Sequence, residues 1–285
     1  DAGHVLCLIS LSLDPPFCTP KAGTPIMATP STVLEAPRRA HTYAYYVDAL
    51  FGCTVVATTP TYRPDLWETF LAGAARNYHH HDVTSALEYD VIRNGVSTSL
   101  FFCALDSAGR MLAGARVQGP YTDAGDTHAD IEWRTHTGAR NVLRAMVNER
   151  LHDGVVELKT GWVDTTAPRG YGLADMIGYA GPLGCLLLGA RHALVTAADH
   201  VVGMWQRSGA VVADDVDPVS YPDHRYRTRA LWWDLETVDA TADHTHLRRM
   251  AEAARQLAGT TVGSGEPHDD GRPARRAADT DSATS

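Results

Sequence analysis

Apolar residues along this chain fall into two kinds of run: short β-branched or aromatic blocks, and stripes at three-to-four-residue spacing. Cys53-Thr54-Val55-Val56-Ala57-Thr58 is a block of the first kind and predicts a strand. Leu66, Trp67, Phe70, Leu71 and Ala74 form a stripe that predicts an amphipathic helix over residues 64–77, with Pro64 suited to its first turn. A second helix is expected over residues 83–92, capped by Asp82. The blocks 99–106 and 111–117 flank the turn Ser107-Ala108-Gly109-Arg110 and predict a hairpin. Val142, Leu143, Met146, Val147 and Leu151 predict a helix that opens at Thr137 or Gly138 and stops at Gly154, and residues 155–163 follow as a strand.

Farther on, residues 173–188 read as an apolar helix that Gly181-Pro182 should kink or break. Residues 192–196 predict a short strand, 198–207 a helix ended at Gly209, and 210–212 and 225–235 the last strands. Leu247, Met250, Ala254 and Leu257 mark a final helix. No internal repeat is visible. The alternation predicts one mixed α/β domain over residues 46–240, with a C-terminal helix at 241–258. Residues 1–45 are expected as an extension with little structure. Residues 259–285, rich in Gly, Ser, Asp, Arg and Ala, are expected as a disordered tail, because they bury too little to offset their ordering entropy. The apolar run from Val5 to Leu13 has no Lys or Arg before it and does not read as a signal peptide; Met27 reads as the more natural start.

Composition narrows the function. The chain has 285 residues, 44% hydrophobic and 21% charged, the balance of a soluble globular protein. A net charge of −9 argues against nucleic acid as a partner. No uninterrupted apolar stretch has the length of a membrane span. Cys7, Cys18, Cys53, Cys103 and Cys185 are odd in number and scattered, so free thiols in a cytoplasmic protein are expected. No metal is expected either. Adjacent histidines in Tyr78-His79-His80-His81-Asp82 point apart, which favours a solvated loop. Asp214-Asp215-Val216-Asp217 lacks the glycine and closing glutamate of a calcium loop. Asp199-His200 has no matching nucleophile motif and reads as a helix N-terminus. One member each of Phe101-Phe102 and Trp232-Trp233 should be core, leaving Phe102 and Trp232 as candidates to line a pocket.

The most informative stretch runs from Trp162 to Ala174, where a strand ends, a loop follows and a helix begins at glycines. Unpaired N–H groups there, with Arg169 beside them, suit a phosphate; a glycine-rich turn beside a solvated arginine is the other reading. Arg169-x-x-Gly172-x-Ala174 resembles the pyrophosphate loop of the GNAT acyltransferase superfamily, and the order of elements over about residues 50–236 resembles that fold. Three shorter pieces resemble its acyl-homoserine-lactone synthase and N-acyl amino acid synthase branch: Glu88-Tyr89-Asp90, Gly114-Ala115-Arg116-Val117-Gln118-Gly119-Pro120, and Glu157-Leu158.

The resemblance implies a GNAT-like fold and a transfer from an acyl thioester, on CoA or acyl carrier protein, to the amine of a small acceptor. Glu157, among Val155, Val156 and Leu158, is then the base that takes the amine's proton, against the alternative of a core-edge glutamate paired with arginine. The backbone of Trp162, Val163 and Asp164 would polarise the thioester carbonyl, and Arg169, Gly170, Gly172 and Ala174 would hold the donor's phosphates. Glu88, Asp90, Arg116, Phe102 and Trp232 are the expected substrate-binding residues. Arg134, Arg140 and Arg144 suit docking of an acidic carrier protein, although an exposed helix face explains two of them equally well. One departure stands out. The position where the family often has a tyrosine as leaving-group acid holds Trp205, so either the thiolate leaves unassisted, as a good leaving group can, or Tyr226 or Tyr221 takes that role. The same substitution supports the alternative of a non-catalytic acyl-CoA binding or sensing module.

Overall fold

The computed structural model describes residues 43–48, 52–167 and 172–260. The strands, in chain order, are β1 (Tyr43–Asp48), β2 (Cys53–Thr58), β3 (Leu100–Leu105), β4 (Met111–Gln118), β5 (Val155–Val163), β6 (His192–Ala198), β7 (Val211–Val212), β8 (Val219–Ser220) and β9 (Arg227–Asp234). The helices are α1 (Pro64–His80), α2 (Tyr89–Ile92), α3 (His128–Glu132), α4 (Thr137–Arg150), α5 (Leu173–Leu188), α6 (Val202–Arg207), α7 (Val238–Thr241) and α8 (His244–Thr260). All nine strands join one sheet in the order β1-β2-β3-β4-β5-β6-β9-β7, with β8 also on β9. Every pairing is antiparallel except β5 with β6. The fold is thus mixed α/β with flanking helices, as the sequence pattern predicts.

The β3–β4 hairpin closes through Asp106, whose Oδ1 accepts the N–H groups of Ala108 (2.9 Å) and Arg110 (2.8 Å). Behind it, Leu66, Trp67, Phe70, Leu71 and Ala74 of α1 are buried, which is the stripe read from sequence. The Trp67 and Phe70 rings stack at 5.0 Å. Gly73 lies against the Trp162 ring so closely that a Cβ there would overlap it. On the opposite face α5 packs against β3, β4, β5 and β6.

Several expectations shift. The helix α5 runs unbroken through Gly181-Pro182. It is buried along nearly its whole length, and Gly181 and Gly184 set its backbone close to Trp233 and Val117, so packing holds it through the one lost hydrogen bond. Residues 83–92 do not form one helix. A 3-10 turn, Thr84–Leu87, and α2 are separated by Glu88 at φ +50°, and Asp82 at φ +56° caps neither. β1 begins at Tyr43, inside the span expected as an extension, and α8 packs on it. Tyr78–His80 is the last turn of α1 rather than a loop, with Tyr78 buried. Trp232 and Trp233 are both core, on opposite faces of β9. Residues 1–42 and 261–285 lie outside the described residues.

Two features set β5 apart from its neighbours. Its parallel pairing with β6 covers four rungs, Val155↔His192 to Leu158↔Val195, after which the two strands part. Against β4, the partner of Trp162 is Gly114 and that of Lys159 is Arg116, so three residue steps on β5 answer two on β4. The extra residue makes a bulge, and Thr160 within it has φ +50°, a left-handed conformation rare for a β-branched side chain.

Gly73→Ala tests the packing that supports β5. The added methyl should force the Trp162 ring to move and lower stability by about 1–3 kcal/mol in denaturant unfolding. An unchanged midpoint would show that the ring yields freely.

Candidate active site

Where β5 and β6 part, a cavity opens to solvent. Lys159 and Thr160 border it from β5, Thr196 and Ala198 from β6, Arg116 from β4 and Thr228 from β9. Adjacent side chains such as Lys159 and Thr160 cannot both face one side of a regular strand; the bulge lets them. His128 and Glu132 of α3 form another wall, with Tyr78, Leu87, Glu88, Tyr221 and Tyr226 completing it. Arg225 clasps the two loops of the mouth together, donating from Nη2 to the Asp82 carbonyl at 2.8 Å and approaching the Asp82 carboxylate at 3.2 Å.

The charged centre of the wall is Glu132, whose side chain is fully buried. Its Oε1 accepts from Lys159 Nζ and from Thr196 Oγ1 (3.0 Å), and lies 2.8 Å from His128 Nδ1. Burial pushes the Glu132 carboxyl up, but the Lys159 charge and the His128 bond outweigh it and hold the group down at about 2. Across the ring, His128 Nε2 lies 3.0 Å from Glu88 Oε2. Burial and Lys159 pull the His128 pKa down, the bonds to Glu132 and Glu88 push it up, and the net shift is upward. The His128 bond lowers the pKa of Glu88 against its partial burial. Arg116 is buried at 2% exposure and donates from Nε to Thr160 Oγ1 at 2.9 Å, while its Nη1 has no hydrogen-bond partner among the described residues. Burial lowers its pKa and raises that of Tyr226, so the Tyr226 hydroxyl keeps its proton at neutral pH.

The structure brings Glu88, Arg116 and Tyr226 of the expected site residues together at this cavity. It does not bring Glu157 there. That carboxylate is fully buried, and it accepts the N–H groups of His128 (2.7 Å) and Ala129 (2.9 Å) and the Tyr121 hydroxyl (3.0 Å), so it faces α3 and not a substrate. Asp90 points to solvent, its side chain 91% exposed. Phe102 borders a smaller apolar pocket with Met176 and Ile177 of α5, and Trp232 is core beneath the Arg150 guanidinium. Trp162 packs on α1, and Val163 ends β5. The Asp164 N–H already donates to Leu112 O at 2.7 Å, which removes it as a donor to a thioester carbonyl. Gly172, at φ +56°, precedes α5, and Ala174 is buried in its first turn; Arg169 and Gly170 lie outside the described residues. Trp205 is core, edge-on to Trp233. Arg140 and Arg144 both fork onto Asp130 of α3, at 2.6–2.9 Å, so this carboxylate neutralises part of the face expected to meet a carrier protein.

Sequence reading missed His128, Glu132, Lys159 and Thr196. The signal was a histidine and a glutamate four residues apart after a capping Thr127, on a helix of five residues. Among the described residues no cluster of three His, Cys, Asp or Glu has the arrangement to hold a metal ion, and no helix is long and apolar enough to cross a membrane. Cys53, Cys103 and Cys185 are buried free thiols.

No protein-family model matches the chain. Over 205 residues it is 42% identical to the uncharacterized proteins Rv1356c of Mycobacterium tuberculosis and Mb1391c of Mycobacterium bovis, covering 72% of this chain and 78% of each of those. Among solved structures it is similar to FeeM, an N-acyl amino acid synthase from uncultured soil microbes, at TM-score 0.47 and 10% identity over 68% of this chain and 97% of that one. It is also similar to BjaI, a CoA-dependent acyl-homoserine lactone synthase, at TM-score 0.47 and 15% identity over 73% and 89%. A third likeness is to the GNAT family N-acetyltransferase YhbS of Escherichia coli in complex with CoA, at TM-score 0.41 and 15% identity over 72% and 96%.

The cluster should write itself into the pH dependence of stability. The folded pKa of His128 lies above the unfolded value of about 6.5, so its contribution is fully present below about pH 6.5 and is lost as pH rises through the folded value. Glu88 and Glu132 are depressed, so theirs is present above about pH 4.3 and lost as pH falls through the folded values. Denaturant unfolding should show stability declining on the alkaline side, with a shallower slope in His128→Gln. An equal slope in the variant would remove His128 as its source.

Proposed function

The chain belongs to one family with Rv1356c and Mb1391c, and we propose that it is an acyltransferase that moves an acyl group from a thioester to the amine of a small acceptor. The observation that carries this reading is the parting of β5 and β6 directly over a cavity walled by His128, Glu132 and Arg116. The gap between two parallel strands leaves backbone groups of both free to line an extended thioester, while the cavity beneath takes the acceptor. The start of α5, after Gly172, suits the phosphates of a CoA donor.

In this reading the acceptor ammonium loses its first proton to solvent water and enters the cavity as a free amine, while Glu88 swings off Nε2 and His128 reacts as the neutral imidazole. The amine nitrogen attacks the thioester carbonyl, and its remaining excess proton moves to His128 Nε2, whose Nδ1–H stays on Glu132. The C–N bond forms, the C–S bond breaks, the departing thiolate takes a proton from Tyr226, and the proton held on His128 returns to the tyrosine, directly or through water. Products are an amide and a free thiol. Arg116, with Nη1 unmatched, receives an anionic group of one substrate. For His128 to act as base, Glu88 must leave Nε2. Glu88 sits at a left-handed backbone position with its side chain about one-third exposed, which gives it room to do so.

The test is release of free thiol from acetyl-, medium-chain and long-chain acyl-CoA with a panel of amines. His128→Gln should lower kcat by about 10²–10⁴-fold and leave the thermal stabilisation by CoA nearly intact. Tyr226→Phe should lower kcat less, because a thiolate leaves readily. Neither turnover nor stabilisation with any CoA thioester would reject CoA as donor; the same failure with acyl carrier protein thioesters would reject the reading.

A further inference from the structure

We propose that Glu157 is a positioning residue, which acts on the reaction only by fixing where His128 stands. The inference rests on the reading of the cavity as the active site. Glu157 lies mid-sheet, opposite Gln118 on β4 and Leu194 on β6, with no exposed surface. It is not among the residues that border the cavity, and both its carboxylate oxygens are engaged by Tyr121 and the backbone of α3.

What it meets is the first turn of α3. Five residues are too few for a helix to sustain itself, and the leading N–H groups of any helix lack partners within it. Glu157 supplies two of them. Oε2 accepts the His128 N–H at 2.7 Å and Oε1 the Ala129 N–H at 2.9 Å. Thr127 Oγ1 accepts the next, from Asp130, at 3.3 Å. The Tyr121 hydroxyl at 3.0 Å, itself close to Gln118 Oε1, and Lys159 Nζ at 4.0 Å keep the carboxylate turned toward α3. One of these bonds ends on the backbone of His128 itself, one Cα from the imidazole. A carboxylate can accept two neighbouring N–H groups at once. An amide in its place turns an NH₂ toward one of them, and an aspartate is one methylene too short to reach both.

A double-mutant cycle separates this role from direct proton transfer. Glu157→Gln should lower kcat at least about tenfold with the KM for donor changed less than about twofold, and should have no further effect in the His128→Gln background. If the two losses multiply, Glu157 acts independently of His128 and the inference falls. A second readout needs no turnover. The titration of the His128 ring, followed by NMR in labelled protein, should move down toward the ordinary histidine range in Glu157→Gln, and less far in Tyr121→Phe, which keeps the carboxylate and serves if the first variant does not fold. An unmoved titration in whichever variants fold overturns the inference. A His128→Gln variant of full activity would instead overturn the choice of base, while the titration still reports on the tether.

Discussion

One buried carboxylate oxygen holds together the two strands that the fold has let go. The last rung between β5 and β6 is Leu158↔Val195; the next residues on each strand are Lys159 and Thr196, and both bond to Oε1 of Glu132. A side chain from α3 therefore takes over from the backbone ladder at the point where the ladder stops. The arrangement is costly to disturb, since stripping a partner from a buried ion pair typically destabilises by about 3–5 kcal/mol. It also couples the width of the gap between the strands to the place of α3, and hence to His128.

The helix α3 is correspondingly fixed from every side. Glu157 holds its first turn, Arg140 and Arg144 of α4 grip Asp130, Lys159 grips Glu132, and Trp133 just beyond its end donates to the Asp217 carbonyl at 2.9 Å. Beneath β5, the Trp67–Phe70–Phe101–Trp162 group supplies a rigid floor. A five-residue segment with no stability of its own is thus placed with the fixity of a long helix. This is the kind of support that a proton-transferring group needs, because a small displacement of a reacting atom carries a large cost in rate.

The long elements were legible in the sequence because their patterns repeat. The α1 stripe repeats over several turns, and the β3–β4 hairpin is two continuous apolar runs about a marked turn; the burial seen in the structure matches both. α3 shows one turn, too short for a period to register, and its structure comes from contacts with a residue 28 and 29 positions away. The same distance hid the meaning of Glu157. Its apolar neighbours in sequence announce a buried carboxylate, but nothing local says that its partners are backbone N–H groups. The break expected at Gly181-Pro182 failed for the opposite reason: the two residues were read as breakers, whereas Gly181 is small so that α5 can approach Trp233. Glu88 and Arg116 were found through a resemblance in motif, Tyr226 as a stand-in for the tyrosine that Trp205 replaces, and all three border the cavity; Asp90, two residues from Glu88 in the same motif, points away.

The bulge at Thr160 makes the cavity a matter of counting. With one residue fewer between Lys159 and Trp162, β5 would pair with β4 in simple register, without a left-handed threonine, and would be the better-formed strand. It would also present one side chain where Lys159 and Thr160 now stand together. Point substitutions can tune such a site by degrees, but its existence is integral: the chain either has the supernumerary residue or lacks the chamber, and no graded series of lengths lies between.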